Sequence, residues 1–259
     1  MDFGIKDKRV LVTGASRGIG AAIARAFAGE GCKVSILARQ EANLKQVFEE
    51  MGGAKKGHSF LAMDLMEDQA PTKALNKFLK GNDPFDIVVH NIGGACGCKD
   101  FLAPVKDWLQ VWQFNAGIAI EMNALLVPLM QKQRWGRIIH ISSVSAKLGE
   151  PRFRPYGGAL PYAAAKAYLN AYVQGLGREL AESNVVVTAL MPGVILCEGK
   201  YWDKLRNTNP ELVNDFLKHH CPIGRFGKPE EIASFAVFLG SQQASFAAGS
   251  IIPVDGGRM

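Results

Sequence analysis

Apolar runs recur along the chain, and the segments between them are long enough for helices. The runs at 9–13, 33–37, 59–63, 86–90, 137–142, 185–190 and 250–254 read as strands; the segments at 19–29, 41–51, 68–80, 118–132, 163–182 and 229–239 read as helices. Strand following helix following strand predicts a mainly parallel, seven-stranded, doubly wound α/β sheet with right-handed crossovers and helices on both faces. In such sheets ligands bind outside the carboxyl ends of the strands. Two stretches fit the alternation poorly: 149–161, rich in Gly and Pro, and 198–227, polar with several aromatics. Both follow strand ends, so the first is expected to be an insertion at the active site and the second a segment covering the substrate. With no internal repeat, low-complexity tract or linker, the chain is expected to form one domain over 1–259.

Composition agrees with that picture. At 259 residues, 48% apolar and 21% charged, the chain can bury a substantial core. The longest apolar candidate for a membrane span, 117–130, is short and broken by Glu121, Asn123 and Pro128, so no membrane association is expected. The opening MDFGIKDKRV lacks the apolar core of a signal peptide, and a cytoplasmic location is expected. Cys32, Cys96, Cys98, Cys197 and Cys221 read as reduced thiols; Cys96 and Cys98 lack a second ligand pair, so no metal is expected. The net charge of +6 and pI of about 9.1 come without any basic run, which predicts a solvated surface and no nucleic-acid partner. Local basic clusters are read at Lys132, Arg134 and Arg137, at Arg152 and Arg154, and at His219, His220, Arg225 and Lys228.

The first strand runs into Thr13-Gly14-Ala15-Ser16-Arg17-Gly18-Ile19-Gly20. A buried strand ending in a glycine turn that opens a helix aims unpaired N–H groups and the positive end of the helix dipole at one point, which suits a phosphate. Gly14 permits the tight turn, Gly18 lets backbone approach a pyrophosphate, and Gly20 lets the helix pack closely on the sheet. Further along, Tyr162 and Lys166 stand four apart at the start of a helix and so share a face. A protonated lysine beside a phenol is expected to lower its pKa toward the working range of an acid/base catalyst. Ser142-Ser143 ends the preceding strand, where a hydroxyl can polarise a carbonyl oxygen.

Taken together, these motifs resemble the short-chain dehydrogenase/reductase superfamily. The match rests on TGASRGIG at 13–20, Asp64, His90-Asn91-Ile92-Gly93, Asn115, Ser143, Tyr162 with Lys166, Pro192-Gly193 and Val254-Asp255-Gly256-Gly257. The resemblance implies a Rossmann fold and an enzyme acting on CH–OH groups with NAD(P) as acceptor. By it, Tyr162 is the general acid/base and Lys166 tunes it and bonds the nicotinamide ribose. Ser143 orients the substrate oxygen, and Asn115 holds a water that relays protons to Lys166. Asp64 and Asn91 lie along adenine and ribose, Pro192-Gly193 lies beside nicotinamide, and cofactor contacts extend to Ser16, Ile19, Leu65, Gly93 and Ile195. The spacing from Ser143 to Tyr162 is longer than usual in the family. Tyr156 stands nearer the usual distance, but Leu160 occupies the position four residues later where a lysine belongs. Cys197 stands where the family often has a threonine.

The second strand ends Leu37-Ala38-Arg39, without the carboxylate with which NAD enzymes bind the ribose 2′-OH, and Arg17 can approach from the glycine turn. The expected cofactor is NADP(H), in preference to NAD(H); Glu41 is expected in the first helical turn. The sequence is also similar to 3-oxoacyl-acyl-carrier-protein reductases, where two arginines dock the acidic carrier. Arg134 fits one of them, and Ser183 falls at the other. A polar or sugar-like ketone is therefore the favoured substrate, a carrier-bound 3-oxoacyl group the alternative, and an inactive NADP-binding scaffold a third reading. Family members commonly form homotetramers or homodimers; Ile118, Ile120, Leu125, Leu169 and Tyr172 are candidates for such an interface or for the monomer's own core.

Overall fold

The computed structural model describes residues 2–98, 100–148 and 160–259. The expected insertion at 149–161, with Arg152, Arg154 and Tyr156, therefore falls almost wholly outside the described residues. Among these residues the strands are β1 (Arg9–Thr13), β2 (Lys33–Ala38), β3 (Ser59–Ala62), β4 (Ile87–His90), β5 (Gly136–Ile141), β6 (Val185–Pro192) and β7 (Ile251–Val254). The helices are α1 (Gly18–Gly29), α2 (Glu41–Glu50), α3 (Ala70–Leu79), α4 (Val105–Trp112), α5 (Ile118–Gln133), α6 (Ser145–Leu148), α7 (Leu160–Leu180), α8 (Tyr201–Thr208), α9 (Pro210–His220) and α10 (Pro229–Gly240).

The seven strands form one sheet in the order β3-β2-β1-β4-β5-β6-β7, every pairing parallel. Helices cover both faces, so the strand sequences are near-continuously apolar. Successive side chains still point to opposite faces. Val10, Val12, Ile36, Val89 and Ile139 pack with Ile23, Phe27 and Ile232 of α1 and α10. Leu11, Leu37, Val88 and Ile138 pack with Leu75, Met122, Leu126 and Val173 of α3, α5 and α7. The chain winds outward from β1 to β3 and returns to β4 beside β1, which opens a crevice between β1 and β4 at their carboxyl ends.

Strand and helix ends agree with the sequence reading to within three residues, and four helices, α4, α6, α8 and α9, go beyond it. Helix α4 precedes a π-helical turn at Gln113–Gly117 that leads straight into α5. Helices α8 and α9 fold the covering segment, which carries its own small cluster of Val194, Phe216 and Cys221 with Trp202, Leu217 and Phe226. That segment is tied back to the sheet where Leu196 N donates to Gly227 O (2.9 Å) and Gly227 N to Val194 O (3.0 Å). The reading of Arg137 as part of a surface cluster with Lys132 and Arg134 needs correcting. Arg137 is 1% exposed, and its guanidinium donates to Ser241 O (3.0 Å), Gly136 O (2.9 Å) and Asn184 O (3.2 Å). Ile118 and Leu169 belong to the monomer's core, whereas Leu125 is exposed. Among the described residues no helix is long and apolar enough to cross a membrane.

Candidate active site

At the end of β1 the chain turns through Gly14 (φ +65°), whose N–H donates to Leu37 O at 2.7 Å. Asn91, at the end of β4, pins this turn: its side-chain amide donates to Gly14 O (3.1 Å) and its backbone N–H to Thr13 Oγ1 (3.1 Å). A Cβ on Gly20 would lie 2.4 Å from Asn91 Nδ2 and 2.5 Å from Gly14 O, so close packing requires glycine there. Arg17 enters α1 in extended conformation and no side chain caps the helix. The first-turn N–H groups and the helix dipole are thereby directed at the crevice.

A cavity of about 590 Å³ runs across the strand ends from this turn to Tyr162. Gly14, Ser16, Arg17, Gly18, Ile19, Arg39, Asp64, Leu65, Asn91, Gly93, Ser143, Tyr162, Lys166, Pro192, Gly193 and Ile195 all line it. Two expected site residues do not: Gly20, behind the turn, and Asn115. Asn115 is buried in the π-helical turn, its Oδ1 accepting from Gly94 N (3.0 Å) and its Nδ2 donating to Gly94 O (2.8 Å) and Val111 O (2.7 Å). It clamps the loop after β4. π-Helical turns of this kind concentrate at functional sites.

Ser143 and Tyr162 line the same cavity, the serine hydroxyl near enough to the phenol to act on its pKa. Lys166 Nζ lies 5.8 Å from the centroid of the Tyr162 ring and donates to Ile141 O at 2.8 Å. The direction of the tyrosine shift is opposite to the one expected from the Tyr-Lys spacing. Burial raises the Tyr162 phenol, with the nearby Ser143 hydroxyl acting against it, and burial lowers the Lys166 ammonium to about 7. With the ammonium bonded to a carbonyl instead of the phenol, desolvation outweighs mutual attraction.

At the other end Arg39 Nη1 lies 3.6 Å from Asp64 Oδ2, while Asp64 Oδ1 accepts from Met66 N (3.0 Å). Glu41 sits, as expected, in the first turn of α2. The Cys197 thiol lines the cavity and is pushed up mainly by burial. The sequence reading missed Lys200, Phe216 and Arg258, which line the cavity from the C-terminal half beside Tyr201 and Trp202 of the covering segment. The signal for Arg258 was its place directly after Val254-Asp255-Gly256-Gly257. Arg17, Arg39, Lys166, Lys200 and Arg258 surround a cavity whose described lining holds one carboxylate, Asp64. Such a site favours an anion.

Comparison with known proteins bears on this arrangement. A family model described as Enoyl-(Acyl carrier protein) reductase matches residues 14–258. A 3-oxoacyl-[acyl-carrier-protein] reductase of Aquifex aeolicus is 34% identical over 99% of this chain and 99% of its own length. Among solved structures, a 3-oxoacyl (acyl-carrier-protein) reductase of Agrobacterium tumefaciens with NADP bound superposes with TM-score 0.87 at 31% identity, covering 99% of this chain and 96% of the other. L-Sorbose reductase of Gluconobacter frateurii, complexed with NADPH and L-sorbose, gives TM-score 0.89 at 31% identity over 100% and 99%. With the family model spanning nearly the whole chain and the wholly parallel sheet common to its structural relatives, the protein belongs to the short-chain dehydrogenase/reductase superfamily.

Proposed function

We propose that the protein is an NADP(H)-dependent oxidoreductase that interconverts a ketone and a secondary alcohol on a polar small molecule, with a sugar-like substrate favoured. The observation that carries this reading is that Ser143, Tyr162 and Lys166 face the same cavity as the glycine turn. The cavity suits a phosphorylated dinucleotide. Its glycine turn leaves helix N–H groups for a pyrophosphate, and Arg17 and Arg39 stand ready for a 2′-phosphate. The nearest carboxylates do not compete: Glu41 belongs to the first turn of α2 and Asp64 is paired with Arg39. Solved relatives described with NADP or NADPH support the same cofactor.

When bound, the dinucleotide supplies hydride to the substrate carbon or accepts it. The protein's own groups handle the oxygen. Ser143 donates a hydrogen bond to the carbonyl oxygen, and Tyr162, held protonated by its raised pKa, delivers the proton as that oxygen gains charge. Lys166, fixed on Ile141 O, positions the ribose and takes part in returning the proton, while Asn115 holds the loop that shapes this corner. The test is Tyr162→Phe, which should lower kcat by about 10²–10⁴-fold, the usual contribution of general acid catalysis, while leaving NADPH affinity little changed. NADPH turnover close to wild type in that variant would sink the assignment, and a kcat/KM preference for NADH would overturn the cofactor.

The names of the curated relatives favour a second reading, a 3-oxoacyl-acyl-carrier-protein reductase. Arg134 is exposed and suits an acidic carrier, but Ser183, where a second arginine would stand, accepts from Gln131 Nε2 at 3.4 Å. A panel of L-sorbose, other ketoses and 3-oxoacyl thioesters separates the two readings: turnover confined to thioesters selects the second. A wild-type protein that binds NADPH without consuming it on any of them would be the inactive scaffold. The proposal extends to a homotetramer or homodimer in the cytoplasm, with Leu109, Leu125 and Tyr168 exposed on the α4, α5 and α7 face for a second copy.

A further inference from the structure

We propose that Asn170 is a positioning residue for the reaction: through Ser142 it fixes where Ser143 stands relative to Tyr162. The inference rests on the ketone–alcohol reading above and adds to its machinery a residue behind the cavity wall, which Ser142 and Ser143 help to form.

Tyr162, Lys166 and Asn170 follow one another at four-residue intervals on α7 and so share one stripe of the helix. That stripe meets the end of β5. Lys166 Nζ donates to Ile141 O (2.8 Å), and one turn further along Asn170 Oδ1 accepts from Ser142 Oγ (2.6 Å). Ser142, Lys166 and Asn170 are all buried, where a polar group that loses its partner is costly. Asn170 reaches a third element as well: its Nδ2 donates to Met191 Sδ (3.3 Å) on β6, just before Pro192-Gly193. The backbone completes the joint, with Ser142 N donating to Leu190 O (2.8 Å) and Val144 N to Pro192 O (3.2 Å). Ser143 is thus held on both sides by β6, and from α7 through its neighbour Ser142.

Ser143 follows β5 and Tyr162 opens α7, so the gap between their hydroxyls is set by how this helix docks on the strand end. Two polar ties from the stripe span that joint. The Lys166 tie is shared with the chemistry, because the same ammonium is expected to bond the nicotinamide ribose and to move protons. The Asn170 side chain does not titrate, and its tie holds Ser142 one peptide unit from Ser143. Its neighbours on the helix, Leu169 and Val173, are apolar and buried, so filling space here does not require an amide. Asparagine adds direction, with an acceptor for the end of β5 and a donor for β6. A displacement of Ser142 is passed directly to the hydroxyl that orients the substrate oxygen.

The test breaks this tie from both ends and measures kcat on a ketone that wild type reduces, chosen from L-sorbose, other ketoses and 3-oxoacyl thioesters. Asn170→Leu keeps a branched side chain of similar length without its hydrogen bonds. Its kcat should fall about 10- to 100-fold, the scale of an ångström-sized misplacement, while the KM for NADPH changes less than about twofold. Ser142→Ala removes the same bond with a smaller change in volume and carries the same expectation, which keeps the test open should Asn170→Leu not fold. The double variant should lose no more than the worse single one, because both substitutions act through one bond. Asn170→Asp retains the oxygen that Ser142 bonds and should restore part of kcat. A kcat within about twofold of wild type in the single variants, NADPH affinity falling in step with kcat, or additive losses would overturn the inference. If wild type reduces none of these ketones, the ketone–alcohol reading fails by itself, and crystal structures of wild type and either single variant decide the positioning role. Ser143 Oγ displaced by about 1 Å relative to Tyr162 Oη supports it; an unchanged separation removes Asn170 from this role.

Discussion

A methyl group added at Gly93 would lie 2.6 Å from Asn115 Oδ1 and 2.8 Å from Lys166 Nζ, so this glycine is required by space alone. Lys166 cannot yield without leaving Ile141 O, and Asn115 cannot yield without releasing Gly94. Gly93→Ala is expected to cost about 1–3 kcal/mol, as overpacking does, and to lower kcat/KM at least about tenfold through displacement of Lys166. Urea unfolding and NADPH-linked initial rates check the two effects separately; a variant with normal rates would show that Lys166 tolerates the shift. Gly175 is the contrast. It lies inside α7, where an added Cβ would meet nothing within 4 Å, so Gly175→Ala should stabilise by about 0.5–1 kcal/mol from helix propensity alone. Its neighbour Gly177 would drive a Cβ to 2.4 Å from Gly249 N and permits no such gain.

At the level of elements, the strands were legible because each is an apolar run, with β1, β2, β4, β5 and β6 buried on both faces, and the glycine turn because its spacing has a mechanical reason. Helices α8 and α9 were not, since they pack on a small satellite cluster and present mostly polar sequence. The link between α4 and α5 was hidden for another reason: a π-helical turn shifts the apolar phase at Gln113–Gly117, so the two helices do not read as one period. Arg258 was out of reach because its place depends on β7 meeting α9. Arg137 misled because charge in a sequence usually signals surface. In the fold it opens β5 and ties that strand to the ends of β6 and α10, with Trp135 4.6 Å from its guanidinium carbon. Burial lowers it to about 10, so the charge persists at neutral pH. Arg137→Met keeps the stem and leaves three carbonyls without this donor; a loss of about 1.5–3 kcal/mol is expected, on the scale of one charged hydrogen bond. Urea unfolding of the variant measures it, and a change under about 0.5 kcal/mol, the level of ordinary surface substitutions, would mean that water replaces the guanidinium.

Across the whole molecule, the basic charge that looked scattered along the chain converges in part on one cavity, while the sheet beneath it carries a polar group of a different kind. His90 on β4 and His140 on β5 stack at 4.8 Å in the sheet register that pairs them. His90 Nε2 bonds Asn123 Oδ1 (2.9 Å) on α5, whose amide donates to the Tyr172 hydroxyl (3.1 Å) on α7. Both nitrogens of His140 are buried without a hydrogen-bond partner among the described residues. Burial lowers His90 to about 4 and His140 well below 6.5, with the charges of His90 and Lys166 adding to the effect on His140. His58 shifts the same way, chiefly through burial. Both stacked rings are therefore neutral in the native state at pH 7. As pH falls through about 6.5 the unfolded chain takes up protons on these residues, whereas native His90 resists until about 4. The unfolded state then binds more protons, so stability is retained above pH 6.5 and lost progressively toward pH 4. Replacing His140 with Leu removes an unpartnered polar ring and one of these sites. The variant should be at least as stable as wild type at pH 7 and lose less stability between pH 6.5 and 5. Urea unfolding free energies at pH 5, 6, 7 and 8 give the slope, and an unchanged slope in the variant would remove His140 from the proton uptake.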